Sequence, residues 1–313
     1  MTNEYEDPDA PAGYAVLVQL WKKPDPYFQN RDKLKPVVPS YLDPWRVAPD
    51  DSRVPTHETA RTRDCLVAVY PNAIAVGSPH SLSIGLPGSF TRMVVWFFIV
   101  IFPIGMGLAN LNLFWADIGD PWTWPLLLLN TSLFLPAIWG FNAIVRTPAD
   151  WPILFNRKDR TVTFIRPARP KLFKFWQFTD SGVYTESWDT LKLRTYKMEV
   201  RYSRTFWMVL QWGEPNKDGL MAVKDYVSIG YQAAVDEHLF QVWEHVRRYM
   251  EEDGPSILRG ERLRKPVNNR TSMPFPPDVI AAAGGPALSA AEVERLSGLE
   301  PAAPRQASAA TSA

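Results

Sequence analysis

The sequence predicts an α+β membrane protein, in which a two-helix transmembrane hairpin is inserted into a small antiparallel β domain closed by a C-terminal helix. Three observations predict it. Two apolar segments, Met93–Phe114 and Trp122–Val145, flank a short acidic loop and contain no ionisable side chain. Short β-branched and aromatic runs, separated by turn residues, occur both before and after that pair. One helical pattern, Gln232–Glu252, follows the last of these runs.

Each apolar segment is long enough to cross a bilayer, because roughly 20 residues at about 1.5 Å per residue cover a hydrocarbon core of about 30 Å. A buried hairpin of a soluble protein would keep a polar stripe, and these segments are apolar all round. Asn110, Asn112, Asn130 and Asn142 are the main polar exceptions. Asn130 is the candidate interhelical polar contact, since amides between membrane helices act as modest glue. Pro103, Pro125 and Pro136 bend such helices without ending them. Arg92 and Arg146 flank the pair, while the loop 115–121 carries Asp117 and Asp120 but no Lys or Arg. Basic flanks stay on the cytoplasmic side, which places both termini inside and the loop outside. Trp115, Trp122 and Trp124 fit an aromatic belt at the outer interface. The first residues are acidic and proline-bearing, unlike a cleavable signal, so targeting is expected to rest on the hairpin.

The remainder divides by composition. Residues 1–63 form an arm rich in proline and charge, within which Tyr14–Trp21 is patterned well enough to dock as a strand. Residues 64–90 begin the β domain: LVAVY and AIAVG read as two strands joined at Pro71–Asn72. Residues 147–265 complete it. PILF and RTVTFIRP form a hairpin about Asn156–Asp159, and GEPNKDG is a second turn between later strands. Val235, Leu239, Val242, Trp243, Val246 and Tyr249 or Met250 give the 232–252 helix one apolar face, and Gly254–Pro255 ends it. Neither strand set offers a closed core alone, so both are expected in one domain. Residues 266–313 turn to Pro, Ala, Gly and Ser and are expected to be disordered, apart from a turn or two of helix at Ser289–Leu296.

The residues that carry chemistry are sparse. A net charge of +1 gives no reason to expect nucleic-acid binding. The single cysteine, Cys65, excludes an intrachain disulfide and a thiol metal cluster. His57–Glu58 begins like a zincin motif, but position 61 is Arg61. His238 and His245 are two helical turns apart and do not easily meet one metal. Gly85–Ser89 lacks the lysine of a phosphate loop, and nothing selects Asp180, Glu186 or Asp189 as an acid–base pair. The reading is of no catalytic residue, no metal site and no cofactor. The best local binding candidate is the basic-aromatic run RPARPKLFKFW. Its Arg166, Arg169, Lys171 and Lys174 are the candidate contacts to anionic lipid, each basic group near such a leaflet contributing about 1 kcal/mol.

LVAVYPNAIAVG, the apolar pair, PILFNRKDRTVTFIRP with SWDTLKLRTY behind it, and VWEHVRRYM together resemble an uncharacterised family of proteobacterial two-pass inner-membrane proteins. Some of these are encoded beside type VI secretion genes. The resemblance covers roughly Leu66 to Lys265, with Asn156, Arg157 and Trp188 matched as pattern positions only. The order of strands then helix also resembles a pleckstrin-homology-like domain. The resemblance implies a bacterial inner-membrane location and an immunity or accessory role toward a type VI secreted toxin. The partners expected are the lipid bilayer and such a toxin, with no nucleic acid. The alternative is an inner-membrane scaffold or lipid-responsive regulator that recruits a cytoplasmic partner.

Overall fold

Alternating apolar runs need a second layer to bury each face, and the computed structural model shows where these runs find one. It describes residues 15–21, 23–34, 38–39, 41–77, 102–116, 120–129, 132, 152–165, 182–200, 203–264 and 275–299. The strands are β1 (Arg46–Val47), β2 (Leu66–Val69), β3 (Ala73–Val76), β4 (Ile153–Asn156), β5 (Thr161–Ile165), β6 (Val183–Ser187), β7 (Lys192–Val200), β8 (Ser203–Pro215) and β9 (Met221–Ala233). The helices are α1 (Phe102–Ala116), α2 (Asp236–Glu251), α3 (Pro277–Ala282) and α4 (Ala290–Leu296). Residues 123–129 are also helical.

Turn chemistry places the hairpin β4–β5. Asn156 Oδ1 accepts from the N–H groups of Lys158 and Asp159, and its Nδ2 donates to Asp159 Oδ2. The register then sets Asn156 opposite Thr161 and Ile153 opposite Phe164. β3 lies antiparallel to β4, with Ala73 opposite Asn156 and Val76 opposite Ile153. Strands on either side of the long apolar stretch therefore share a sheet.

The strands do not form one continuous sheet. One antiparallel sheet runs β2-β3-β4-β5-β6 and a second runs β1-β7-β8-β9. The expected single, pleckstrin-homology-like domain with a closing helix is corrected on this point. The break falls after β6, where the Trp188 N–H donates to the Arg160 carbonyl and its ring turns inward to stack on Trp243 at 5.2 Å. Burying that indole and Leu191 carries the chain out of the first sheet before β7 begins. Ile74, Val76, Phe155 and Phe164 of one sheet then meet Met208, Leu210, Trp212 and Ile229 of the other around α2.

The membrane architecture is corrected as well. Among the described residues no helix is long and apolar enough to cross a membrane. α1 has 15 residues, about 22 Å at 1.5 Å per residue, against a hydrocarbon core of about 30 Å. The two-pass reading, the inner-membrane location and the assignment of both termini to the cytoplasm rested on spans that this helix does not supply.

Both chain ends contribute to the fold. Period-two alternation leaves each sheet with an apolar outer face, which water would otherwise meet. On the second sheet Tyr196, Trp207, Val209 and Tyr226 face away from α2, and the arm covers them with Phe28, Leu34 and Val38. Isolated bridges from Val16 to His57 and from Leu20 to Arg46 tie down the segment that the sequence marked as a docking strand. On the first sheet Ala73, Ala75, Leu154 and Ile165 face outward, and Phe275 and Ala283 pack on them. The tail, expected to be disordered, is thus folded between 275 and 299. Ser289 caps α4 in a reciprocal box with Glu292, and the Leu288 N–H donates to the Val69 carbonyl.

Candidate functional site

Helix α2 sits between the sheets and the arm, so its polar face is buried along with its apolar one. Glu244 and Arg247 are both essentially inaccessible. Glu244 Oε1 accepts from Arg247 Nη2 at 2.7 Å and Arg248 Nε at 2.8 Å. Its Oε2 accepts from Arg247 Nε at 2.9 Å, the Thr56 N–H at 3.0 Å and Thr56 Oγ1 at 3.3 Å. Arg247 completes its fork on the Arg53 carbonyl and Glu252 Oε1. Burial alone would raise the Glu244 carboxyl, but the bonds from Arg247, Thr56 and Arg248 outweigh it and hold it below the usual carboxylate range.

A second carboxylate closes the same helix. Glu251 accepts from Trp188 Nε1 at 2.5 Å, Ser52 Oγ at 2.6 Å and Arg160 Nη2 at 2.9 Å. Arg160 also binds Asp189 Oδ1 at 2.6 Å, and its φ of 51° belongs to the left-handed region. Burial opposes ionisation of Glu251, while Arg160, Ser52 and Trp188 favour it more strongly, so its pKa is lowered. Two more buried pairs fasten the arm. Arg194 Nε meets Asp25 Oδ2 at 2.8 Å, and Arg46 Nε meets Asp236 Oδ2 at 2.8 Å, with Trp45 Nε1 on the same oxygen. Asp25 further accepts from the N–H groups of Tyr27 and Phe28. Each of these carboxylates is held by an arginine from another element or from its own helix, which makes the set a series of clamps.

Other carboxylates, a histidine and the thiol are engaged in packing and pairing as well. Asp189 is held by Arg160, and Glu186 by Lys224 at 2.7 Å; Asp180 lies outside the described residues. His57 is buried, with Nδ1 accepting from the Thr59 N–H and Nε2 standing 3.5 Å from Glu237. Cys65 is a buried free thiol packed near Gly230. Among the described residues no group of three or more His, Cys, Asp or Glu could hold a metal ion. The candidate lipid contacts Arg166, Arg169, Lys171 and Lys174, and the candidate interhelical residue Asn130, all lie outside the described residues.

Most of the exposed large apolar side chains among the described residues fall between 104 and 129. Ile104, Leu108, Leu111 and Trp115 recur along one face of α1, and Trp122, Trp124, Leu126, Leu128 and Leu129 follow within a few residues. Trp115 is 80% exposed, Leu128 77% and Trp122 73%, values far from those of core residues.

Residues 130–276 match the model of a family of unknown function (DUF6708). The matched stretch holds β4 to β9 and α2, and with them Arg160, Trp188, Glu244 and Glu251, but not the arm that completes their bonding. No curated protein and no solved structure matches the chain.

The clamp residues were missed in the sequence because Glu244, Arg247 and Arg248 have the spacing of an ordinary solvated helix face. His245, between them in the same helix turn, is buried with them, although the sequence gives it the look of a solvated face too. Burial pushes its pKa down to about 4, opposed by a backbone group of Ser256. The folded chain therefore keeps His245 neutral where the unfolded chain protonates it, and stability falls as pH drops from about 6.5 towards 4. The expected loss across that window is about 3 kcal/mol. Urea unfolding at pH 7 and pH 4.5 measures it, and a His245→Leu chain should show a flatter profile. An unchanged slope in that variant would assign the pH dependence to other groups.

Proposed function

We propose that this chain is a binding protein without catalytic activity, and that it serves as an immunity or accessory protein for a type VI secreted toxin. The observation that carries the binding reading is the exposed apolar run at 104–129. Exposed apolar side chains in such number mark an interaction site, because leaving them in water is unfavourable by about 25 cal/mol per Å². The fully engaged buried carboxylates agree with a role in which the fold presents a surface and performs no chemistry. The secretion context comes from the resemblance of the strand and helix motifs, and it selects a toxin as the protein partner. The partner's matching face is expected to be apolar, with few charges at its centre.

The test is a competition assay against a parental strain with active type VI secretion. Deleting the gene should sensitise the cell, and the intact gene should restore protection. Leu108→Asp with Leu111→Asp should lose at least tenfold of that protection while near-UV circular dichroism stays unchanged. Normal survival of the deletion strain, with no neighbouring gene lethal on expression, would remove the proposal. Retention of the chain in alkali-washed membranes without any partner would also remove it, by assigning the apolar run to lipid.

A further inference from the structure

Sheet edges are where unpaired backbone groups recruit other chains, and most folds cover them. Here the β2 edge receives the Arg264 and Leu288 N–H groups on the carbonyls of Leu66 and Val69. The β9 edge is paired with the arm, since Gln29 and Asn30 donate to the Met221 carbonyl and Val223 donates back to Asn30. The two-residue β1 lies beside Leu20 and Trp21. Among the described residues none donates to or accepts from the backbone of Val183 or Thr185 on the outer edge of β6.

Register identifies the open groups. The Trp188 N–H donates to the Arg160 carbonyl, which makes 188 and 160 a hydrogen-bonded antiparallel pair. Along β5–β6 the pairs Glu186–Val162 and Tyr184–Phe164 are then of the same kind. Val183, Thr185 and Ser187 alternate with them and aim their backbone groups outward. The Ser187 carbonyl follows this parity and is taken by Trp212 Nε1 at 2.8 Å. That leaves the N–H and C=O of Val183 and of Thr185 on the edge. The strand reads VYTES, without the lysine, proline or bulge that usually guards such a position.

We infer that β6 pairs antiparallel with β6 of a second copy of this chain across a two-fold axis at Tyr184, joining two five-stranded sheets. The pattern is self-complementary about that residue. Val183 falls opposite the partner's Thr185, so each donates to and accepts from the other, and the symmetric pair does the same. Every open group on both edges is satisfied, and the engaged Ser187 carbonyl is not required. Tyr184 meets the partner's Tyr184 at a non-hydrogen-bonded position, where side chains approach most closely. Within one copy Trp212 stacks on Phe164 at 5.4 Å and Phe164 on Tyr184 at 5.7 Å. Glu186 falls opposite the partner's Gly182 and away from its like-charged counterpart. A five-residue edge buries less than the roughly 1,200 Å² of a standard stable interface, so the dimer is weak and concentration-dependent.

Sedimentation velocity of the intact chain over a hundredfold concentration range should show a monomer–dimer shift. Thr185→Pro removes an outward N–H from each copy without touching the β5 ladder, and should weaken dimerisation at least tenfold. The second measurement does not depend on that variant folding. In a Tyr184→Cys chain the facing Cα atoms would lie about 4.5 Å apart, within disulfide reach. Mild oxidation should therefore cross-link it at least tenfold faster than Lys217→Cys in the exposed 216–219 turn, while buried Cys65 stays silent. A monomer at every concentration, or equal cross-linking of the two cysteine variants, would overturn the pairing.

Discussion

A chain that begins at residue 63 is expected not to fold. The arm is too polar to read as a core element, yet it supplies partners that nothing else in the molecule can replace. Removing it exposes the outer face of β7, β8 and β9, where Tyr196, Trp207, Val209 and Tyr226 lose Phe28, Leu34 and Val38. It also takes Asp25 from Arg194, Arg46 from Asp236, and the Thr56 N–H from Glu244. Each buried charge left without its partner costs several kcal/mol. Two such losses, at Arg194 and Asp236, together with the newly exposed apolar face, reach the roughly 5–15 kcal/mol that holds a typical domain together. Near-UV circular dichroism and urea unfolding decide the point. A truncated chain that unfolds cooperatively, with a midpoint near that of the full chain, would show that the arm is a decoration.

The largest effect of a single substitution is expected at Glu244. Glu244→Gln keeps volume and one acceptor but removes the charge that Arg247 and Arg248 share, and Arg247 is only 1% exposed. Breaking a buried pair from one side costs about 3–5 kcal/mol, and the lower end applies because Glu252 still reaches Arg247 at 2.6 Å. The urea midpoint should fall while the slope of the transition stays constant. Adding Arg247→Met should recover part of the loss, since it removes the buried guanidinium that Glu244→Gln leaves without its carboxylate. Strict additivity of the two changes would mean that the pair is not coupled. The sign with pH follows from the lowered carboxyl: the stabilisation is present above the unfolded-state value and is lost as pH falls through the folded one. That window opens at the acidic end of the one assigned to His245, so the part of the titration above about pH 5 reports His245 alone.

Much of the β domain was legible residue by residue. The hairpin around Asn156–Asp159 depends on contacts no more than three residues apart, and its turn chemistry appears in the sequence as written. The helix expected at 232–252 was plain in kind, but it starts at Asp236 because β9 runs on to Ala233, and Gly254 follows its end, where a Cβ would stand 2.9 Å from the Arg248 backbone. Its environment was not legible. Leu239, Trp243 and Val246 announce one buried face, but Glu244 and Arg247 announce a wet one until the arm closes over them. The exposed apolar run misled in the opposite direction. Met93–Phe114 has the composition of a spanning helix, whereas the helix described there begins at Phe102 and ends at Ala116.

The sequence by itself determined the local elements: where strands alternate, where the chain turns, where one helix starts and stops. These follow from backbone preferences and periodicity within a few residues. Only the tertiary structure decided that the strands divide into two sheets after Ser187, and that the arm and the tail roof their outer faces. It also decided that charges on α2 are clamps and that, among the described residues, Val183 and Thr185 keep unpaired backbone groups on the β6 edge. Each of these depends on a partner far along the chain, as Arg194 depends on Asp25 at a separation of 169 residues. A polar side chain carries the same letter whether water or a distant carboxylate satisfies it, and only the folded arrangement selects between them.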